Sequence, residues 1–237
     1  MRRKLRITGI VCCSLLLVMA VVALVLYRCS QREPDAYRDA IEIKPAVLEE
    51  ASDQMLQKTT ALVSDVKREG DWEALFTAEQ INGFLAVDLV RNHPTALPEW
   101  LSDPRVAIKP DRVMLFGRIR RGKFDSVVTL AVEPYVPNPN VLALRIRGVR
   151  AGIVPMPLGN VLEAVSQTAQ RSDIRLHWKQ TDGDPVAMIT LPATLDDDDK
   201  LIQIETLRLA EGEIYVSGTT AMPDTMLPDE ENENTQR

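Results

Sequence analysis

The sequence predicts an α+β protein in which an N-terminal transmembrane helix precedes a curved antiparallel sheet with two or three packed helices. Three observations lead to this fold class. Residues 7–27 carry no formal charge, residues 45–68 repeat apolar side chains at helical spacing, and the chain beyond Pro94 alternates apolar and polar residues between turns. Helical and strand periods that occupy separate stretches are typical of α+β folds.

The first predicted element is an uncharged apolar stretch of 21 residues, Ile7 to Tyr27. A helix of about 20 residues crosses the ~30 Å hydrocarbon layer of a bilayer. The basic residues within residues 1–6 predict a cytoplasmic N-terminus and an extracytoplasmic position for all that follows. Since a cleaved signal usually has a shorter apolar core and a small-residue cleavage site, we favour a retained signal-anchor in the cytoplasmic membrane. Cleavage, or lipid attachment at Cys29, are the alternatives.

The remaining chain divides by composition into three parts. Residues 28–44 are polar and are interpreted as a linker, residues 45–222 as one extracytoplasmic α+β domain, and residues 223–237 as an acidic disordered tail. The formal net charge at pH 7 is −6. Proteins that bind nucleic acids present a basic surface, so we exclude nucleic acid as a partner. Cys29 has no partner beyond the anchor, which leaves a free thiol or a bridge between two copies in a homodimer.

Two helices are predicted before the sheet. Over Pro45–Arg68, apolar residues recur every seventh position from Leu48 to Leu62, forming a stripe that packs on the domain or, less favoured, on a second copy. In "LFTAEQINGFL" the spacing of Thr77 and Gln80 is that of a capping box, so these polar side chains begin a helix rather than forming a catalytic site.

Alternating patterns and short turn sequences predict an antiparallel meander after Pro94. Strands are predicted near Arg105–Lys109, Arg112–Arg120, Lys123–Val136, Val141–Gly148, Ile174–Gln180, Pro185–Leu191, Leu201–Ala210 and Glu213–Thr219. One helix, from about Leu158 to Gln170, interrupts them.

Two candidate binding surfaces follow from this alternation. The first is an apolar sheet face that either fills an ordinary core or lines a groove for an amphipathic ligand, with Val113, Leu115, Ile119, Val128, Leu130, Leu142 and Leu144 as its lining. The second is a basic patch for lipid headgroups or an anionic envelope polymer, or else a solvated face, formed by Arg118, Arg120, Arg121, Lys123, Arg145 and Arg147. In this interpretation Arg145 and Arg147 lie beside Arg118 and Arg120 if the strand register permits.

No catalytic, metal or cofactor site is predicted. Neither His93 nor His177 has a further ligand at a zinc-site spacing, and "DDDDK" from Asp196 to Lys200 lacks the spacing of an EF-hand. No nucleophile elbow, phosphate loop or dinucleotide fingerprint occurs in the chain.

The order of features from Leu75 to Val165 resembles the YpmS-like family of uncharacterised bacterial membrane-anchored proteins. The resemblance is carried by Phe76, Thr77, Asn82 and Leu85, and by "GIVPMP" from Gly152 to Pro157 before a helix. It implies a curved sheet with helices at the outer face of the cytoplasmic membrane. Similar folds of long bent strands around a helix hold lipids, an analogy at the level of fold.

The functional expectation is a non-catalytic, single-pass protein of the cell envelope whose periplasmic domain binds a lipid or other amphipathic molecule. The alternative is a tethered scaffold or assembly factor that docks another envelope protein through the Pro45–Arg68 helix and the basic hairpin.

Overall fold

The computed structural model describes residues 18–94, 96–97, 100–122, 124–171, 174–194 and 200–223. For Arg121 it describes the backbone only. Several sequence predictions lie outside the described residues: the basic N-terminus and the first part of the anchor (1–17), Lys123, four aspartates of the acidic run (196–199), and the tail from residue 224.

The fold is α+β, with several helices and entirely antiparallel strand pairing. The helices are α1 (18–30), α2 (Asp35–Ile41), α3 (Pro45–Val66), α4 (Ala78–Gly83), α5 (Leu89–Asn92) and α6 (Gly159–Arg171), and a π-helical segment, Phe84–Asp88, joins α4 to α5. The strands are β1 (Gly70–Thr77), β2 (Leu101–Lys109), β3 (Arg112–Arg121), β4 (Phe124–Asn138), β5 (Val141–Ala151), β6 (Val154–Pro155), β7 (Leu176–Thr181), β8 (Asp184–Thr190), β9 (Leu201–Ala210) and β10 (Glu213–Ala221).

The strands form two sheets rather than the single sheet that the sequence predicts. The large sheet has seven strands in the order β2-β3-β4-β5-β8-β7, with β6 paired to β5. The small sheet has the order β1-β10-β9. Strand β1 was not predicted, and its pairing with the C-terminal strand β10 joins residues about 140 positions apart, such as Trp72 and Gly218.

Helix α3 packs on the domain through its predicted apolar stripe. Leu48, Ala51 and Val66 are buried, and Val66 lies in one cluster with Trp72 of β1 and Ile202 of β9. The favoured interpretation of this stripe, packing on the domain rather than on a second copy, therefore agrees with the structure.

Helix α4 begins at the predicted capping box. The Gln80 backbone N–H donates to Thr77 Oγ1 at 3.2 Å, and the Thr77 backbone N–H donates to Gln80 Oε1 at 3.1 Å. Two of the unsatisfied donors at the helix start thereby find acceptors. The prediction that these polar side chains begin a helix is confirmed.

The segment over residues 28–44, predicted to be a polar linker, instead contains α2 and contacts the large sheet. Tyr37 is fully buried against Phe116 of β3 and Val127 of β4. The Arg105 side chain donates to the Ala40 carbonyl at 3.3 Å. The polar composition of the segment obscured the short apolar face of α2, which is centred on the buried Tyr37.

The described part of the predicted anchor is helix α1. Among those residues, no helix combines the length and the apolar character needed to cross a membrane.

Candidate ligand-binding face

The seven predicted groove residues lie on one face of the large sheet, which we call the front face. Directly paired residues of neighbouring strands project to the same side, and alternate residues along a strand share a side. Leu115 pairs with Leu130, and Leu130 pairs with Val149. Further along the sheet, Leu144 pairs with Ala187, which pairs with Trp178. The predicted assignment of these residues to one face agrees with the observed register.

Exposure divides the front face into a closed end and an open centre. Val113 is buried in a cluster with Val106 and Ile108, covered by Ile81 of α4 and by apolar residues near the β9–β10 turn. The remaining predicted residues keep part of their surface exposed, and Leu115 is 42% exposed. Val113 therefore belongs to the core, whereas the centre of the front face retains apolar surface that no described residue fully covers.

Helices stand over opposite edges of the front face. On the β2 edge, Ile81 and Leu85 pack against the Val106 cluster. On the β7 edge, the Trp178 indole N–H donates to Ser166 Oγ of α6 at 2.8 Å, which places α6 on the front face. The front residues of β5 beside this centre, Ile146 and Val149, are buried. The result is a trough, by which we mean the partly exposed front surface of β3 and β4 between α4–α5 and α6.

The open length of the trough is comparable with the hydrocarbon of one leaflet. Along β3, the partly exposed front residues Leu115 and Ile119 lie four positions apart, or about 13 Å at 3.3 Å per residue. The hydrocarbon of one bilayer leaflet is about 15 Å thick, half of ~30 Å. The open surface can therefore contact most of an acyl chain that spans one leaflet.

The wall over the β2 edge contains the π-helical segment Phe84–Asp88. A π-helical turn adds a residue to the helix, which shifts the side chains that follow it, and such turns occur frequently at functional sites. Phe84, Leu85 and Val87 are half-buried there, and Val90 of α5 is exposed. This part of the wall therefore presents apolar side chains that are incompletely packed.

Asn82 fixes that wall to the edge strand of the sheet. Its amide donates to the Val106 carbonyl at 2.9 Å, and its carbonyl accepts the Val106 N–H at 2.8 Å. The side chain thus replaces a neighbouring strand at the free edge of β2. Asn140 makes the same pair of bonds to β9, to the Ile202 carbonyl at 2.6 Å and from the Ile204 N–H at 2.8 Å.

The basic side chains near the β3–β4 turn lie on the opposite face, the back face, and are paired with acids. Arg118 forms ion pairs with Glu33 and with Asp125, the latter at 3.2 Å, and its guanidinium lies 6.0 Å from the centre of the Tyr37 ring. Arg120 contacts Asp125 at 3.5 Å. Partial burial lowers the pKa of Arg118, but hydrogen bonds to Tyr37 and Glu33 outweigh it and leave the pKa above its usual value.

The predicted union of four arginines in one patch is wrong, because the register separates them. Arg118 pairs with Val127 of β4, whereas Arg145 of β5 pairs with Glu133, six residues further along the same strand. Arg145 contacts Asp182 at 3.5 Å. Arg147, at a β-bulge, contacts Glu133 at 2.7 Å and Asp184 at 2.9 Å.

An acidic cleft on the small sheet was not predicted. It has a volume of about 510 Å³ and is lined in part by Asp71, Glu73, Glu205 and Tyr215. The Tyr215 hydroxyl donates to Glu73 at 2.7 Å, and Thr219 bonds both Asp71 and Glu205. These polar groups therefore hydrogen-bond one another across the cleft.

Sequence reasoning missed two residues that shape the site. Tyr37 was assigned to a linker, although its spacing to Ala36, Ala40 and Ile41 is that of an apolar helix face. Trp178 was not singled out in the sequence. Its indole N–H, which needs a partner when buried, could have indicated contact with a polar residue of another element.

Comparison with protein-family models, with curated proteins and with solved structures finds no match to this chain. The resemblance to the YpmS-like family therefore remains a prediction.

Proposed function

We propose that this protein is a single-pass, membrane-anchored extracytoplasmic protein that binds the apolar chain of a lipid or another amphipathic cell-envelope molecule in the trough. In this proposal the protein holds or presents its ligand and catalyses no reaction on it. The domain remains at the outer face of the cytoplasmic membrane, where such ligands are abundant.

The exposed apolar surface of helix α1 supports the proposed position in the membrane. The helix exposes large apolar side chains at successive positions, including Val21 (52%), Val22 (51%), Leu24 (57%) and Val25 (52%). Successive residues of a helix point in different directions, so this surface is apolar all round rather than amphipathic. A helix of that kind needs an apolar environment, and a bilayer supplies one.

The observation that carries the binding proposal is the partly exposed apolar centre of the front face. Buried apolar surface stabilises by roughly 25 cal/mol per Å², so an uncovered apolar trough forgoes stability that a ligand restores. Leu115, Val128 and Leu130 form a continuous surface across two paired strands, and both edges carry helices. An elongated apolar ligand complements this shape better than a compact polar one.

The back face supports an anionic polymer less well. Arg118 and Arg147 each contact two carboxylates of this chain. A polymeric anion would have to displace these carboxylates. Because they belong to the same chain, their ion pairs carry no entropic cost of association, whereas those of a separate polymer would. We therefore place the ligand on the front face.

Native mass spectrometry of the full-length protein, released from detergent micelles after incubation with phospholipid, tests this proposal. We expect one bound lipid on the wild-type protein. Leu115→Asp places a charge in the trough and is expected to weaken the affinity for lipid about tenfold, a loss of about 1.4 kcal/mol. The matched control is Leu75→Asp in β1, because Leu75 is a strand leucine of nearly equal exposure, 41% against 42%. Equal lipid binding by both variants, or none by the wild type, contradicts the proposal.

A further inference from the structure

The tip of the hairpin between β5 and β6, Gly152 and Ile153, lies directly against the end of α1. The Ile153 N–H donates to the Cys29 carbonyl at 3.3 Å. On the neighbouring strand, the Ser126 hydroxyl donates to the Ser30 carbonyl at 2.5 Å. The last turn of α1 is therefore fixed to the sheet at this corner rather than joined to it by a free linker.

Gly152 permits this close approach. A Cβ at this position would lie 2.5 Å from the Ser30 carbonyl oxygen and 2.6 Å from that of Cys29, closer than such contacts allow. Its φ of +56° also lies in the left-handed region, which side-chain-bearing residues rarely adopt. Both the close approach and the backbone conformation require glycine here, so the hairpin and α1 share one rigid geometry.

The hairpin presents apolar side chains to the outside at this corner. Ile153 is 49% exposed and Met156 is 39% exposed. From Gly152 to Leu162 the sequence carries no formal charge. Arg150 precedes Ile153 by three residues, and Arg28 precedes Cys29, whose carbonyl accepts the Ile153 N–H; both arginines are exposed. Apolar side chains with cationic neighbours are the combination that binds the interface of an anionic membrane.

The position of the tip relative to α1 identifies its partner. Tyr27 ends the apolar stretch, and tyrosine is enriched at the membrane–water boundary. Cys29, which contacts the tip, is two residues further on, or about 3 Å along a helix axis. If α1 crosses the bilayer to Tyr27, Ile153 lies at the depth of the lipid headgroups.

We infer that the β5–β6 hairpin is a membrane-contact element that inserts Ile153 and Met156 into the interface of the bilayer in which α1 is anchored. This inference depends on the anchor part of the proposed function, but it does not require ligand binding. Because Ala151, at the base of the hairpin, pairs with Val128 of the trough, the contact also places this end of the trough near the membrane surface.

Electron paramagnetic resonance on the full-length protein in nanodiscs that contain anionic phospholipid tests this inference. The native Cys12, Cys13 and Cys29 are replaced by serine, and a nitroxide label is attached to Ile153→Cys or Met156→Cys. Labels at Val22→Cys and Leu75→Cys serve as references for the bilayer and for water; Leu75 is 41% exposed on the small sheet, which packs at the closed end of the trough.

We expect the ratio of oxygen accessibility to nickel-chelate accessibility at residues 153 and 156 to exceed the ratio at residue 75 at least twofold. If residue 22 shows the ratio of a label in the bilayer but both hairpin positions show the same ratio as residue 75, the inference is wrong and the anchor stands. If residue 22 shows the ratio of a label exposed to water, both the inference and the proposed membrane anchor are wrong. Lipid binding in native mass spectra is read independently of either result.

Discussion

At the scale of single residues, Asn82 connects a helix to a strand edge by two hydrogen bonds. The residue is 3% exposed, and no water can easily replace it at the Val106 backbone. Thr77, Gln80 and Asn82 therefore have structural roles in positioning one wall of the trough. Thr77 and Asn82 are also among the residues that carry the resemblance noted in the sequence, so these polar residues help to build the wall.

Asn82→Ala is expected to destabilise the protein by about 2–4 kcal/mol, since it leaves a buried N–H and a buried C=O without partners. For a domain of this size the loss corresponds to a decrease in Tm of about 5–15 °C, measured by circular dichroism in detergent micelles. Asn92→Ala is the control, because Asn92 is exposed and its side chain donates to Asp88, four residues earlier. Similar melting of the two variants would show that the Val106 contacts contribute little.

Ionisation of Tyr37 makes the stability of the folded protein decrease at alkaline pH. Burial raises the pKa of Tyr37 above its usual value of 10.0, with the neighbouring Arg118 opposing the rise. Because the folded pKa exceeds the unfolded one, the contribution of Tyr37 is fully present below pH 10 and is lost as pH rises through the folded pKa.

Tyr37→Phe is therefore expected to lose less stability than the wild type between about pH 9 and about pH 11, around the usual tyrosine pKa. Urea midpoints in detergent micelles at the two pH values measure the difference. Parallel losses in the two proteins would assign the alkaline sensitivity to other groups.

At the scale of elements, α3 and α4 touch backbone to backbone at Gly83. A Cβ there would lie 2.5 Å from the Ser52 backbone nitrogen and 2.7 Å from the Leu48 carbonyl oxygen. Glycine removes the side chain that would otherwise separate the two helices. The wall of the trough therefore depends on α3, which also packs on the small sheet.

Gly83→Ala is expected to destabilise by about 1–3 kcal/mol, the usual cost of overpacking a closely packed site. Gly159→Ala in α6 is the matched control: it is also a helical glycine, and nothing lies within 4 Å of its added Cβ. Its stability is expected to change by no more than about 0.5–1 kcal/mol, in the stabilising direction. Thermal melting of both variants checks the pair, and a Gly83→Ala protein as stable as wild type would contradict the packing described here.

Periodic elements could be predicted from the sequence, and non-periodic contacts could not. Helix α3, the capping box, and the front-face assignment of Leu115 and Leu130 all follow from local spacing. Strand β1 was not predicted, because its partner β10 is distant in sequence and no turn sequence between them indicates the pairing. The separation of Arg118 from Arg145 depends on register, which β-bulges shift and which composition does not encode.

At the scale of the whole molecule, helix α1, the hairpin and the trough form one continuous arrangement. Helix α1 ends against Gly152, the hairpin tip exposes Ile153, and the trough runs from that corner toward the small sheet. The back face carries α2 and the ion pairs of Arg118, which fix the segment after α1 to the sheet. In the proposed orientation, a ligand that leaves the bilayer at this corner reaches the trough directly.

The location of the bound chain tests this account most directly. The full-length protein in nanodiscs is photo-crosslinked to a phospholipid with a diazirine on its acyl chain, and the modified peptides are mapped by mass spectrometry. We predict modification within β3 and β4 at Leu115, Val128 and Leu130, reduced by excess unlabelled phospholipid. Modification confined to α1 and the hairpin tip, with β3 and β4 unlabelled, would contradict the binding of a lipid chain in the trough.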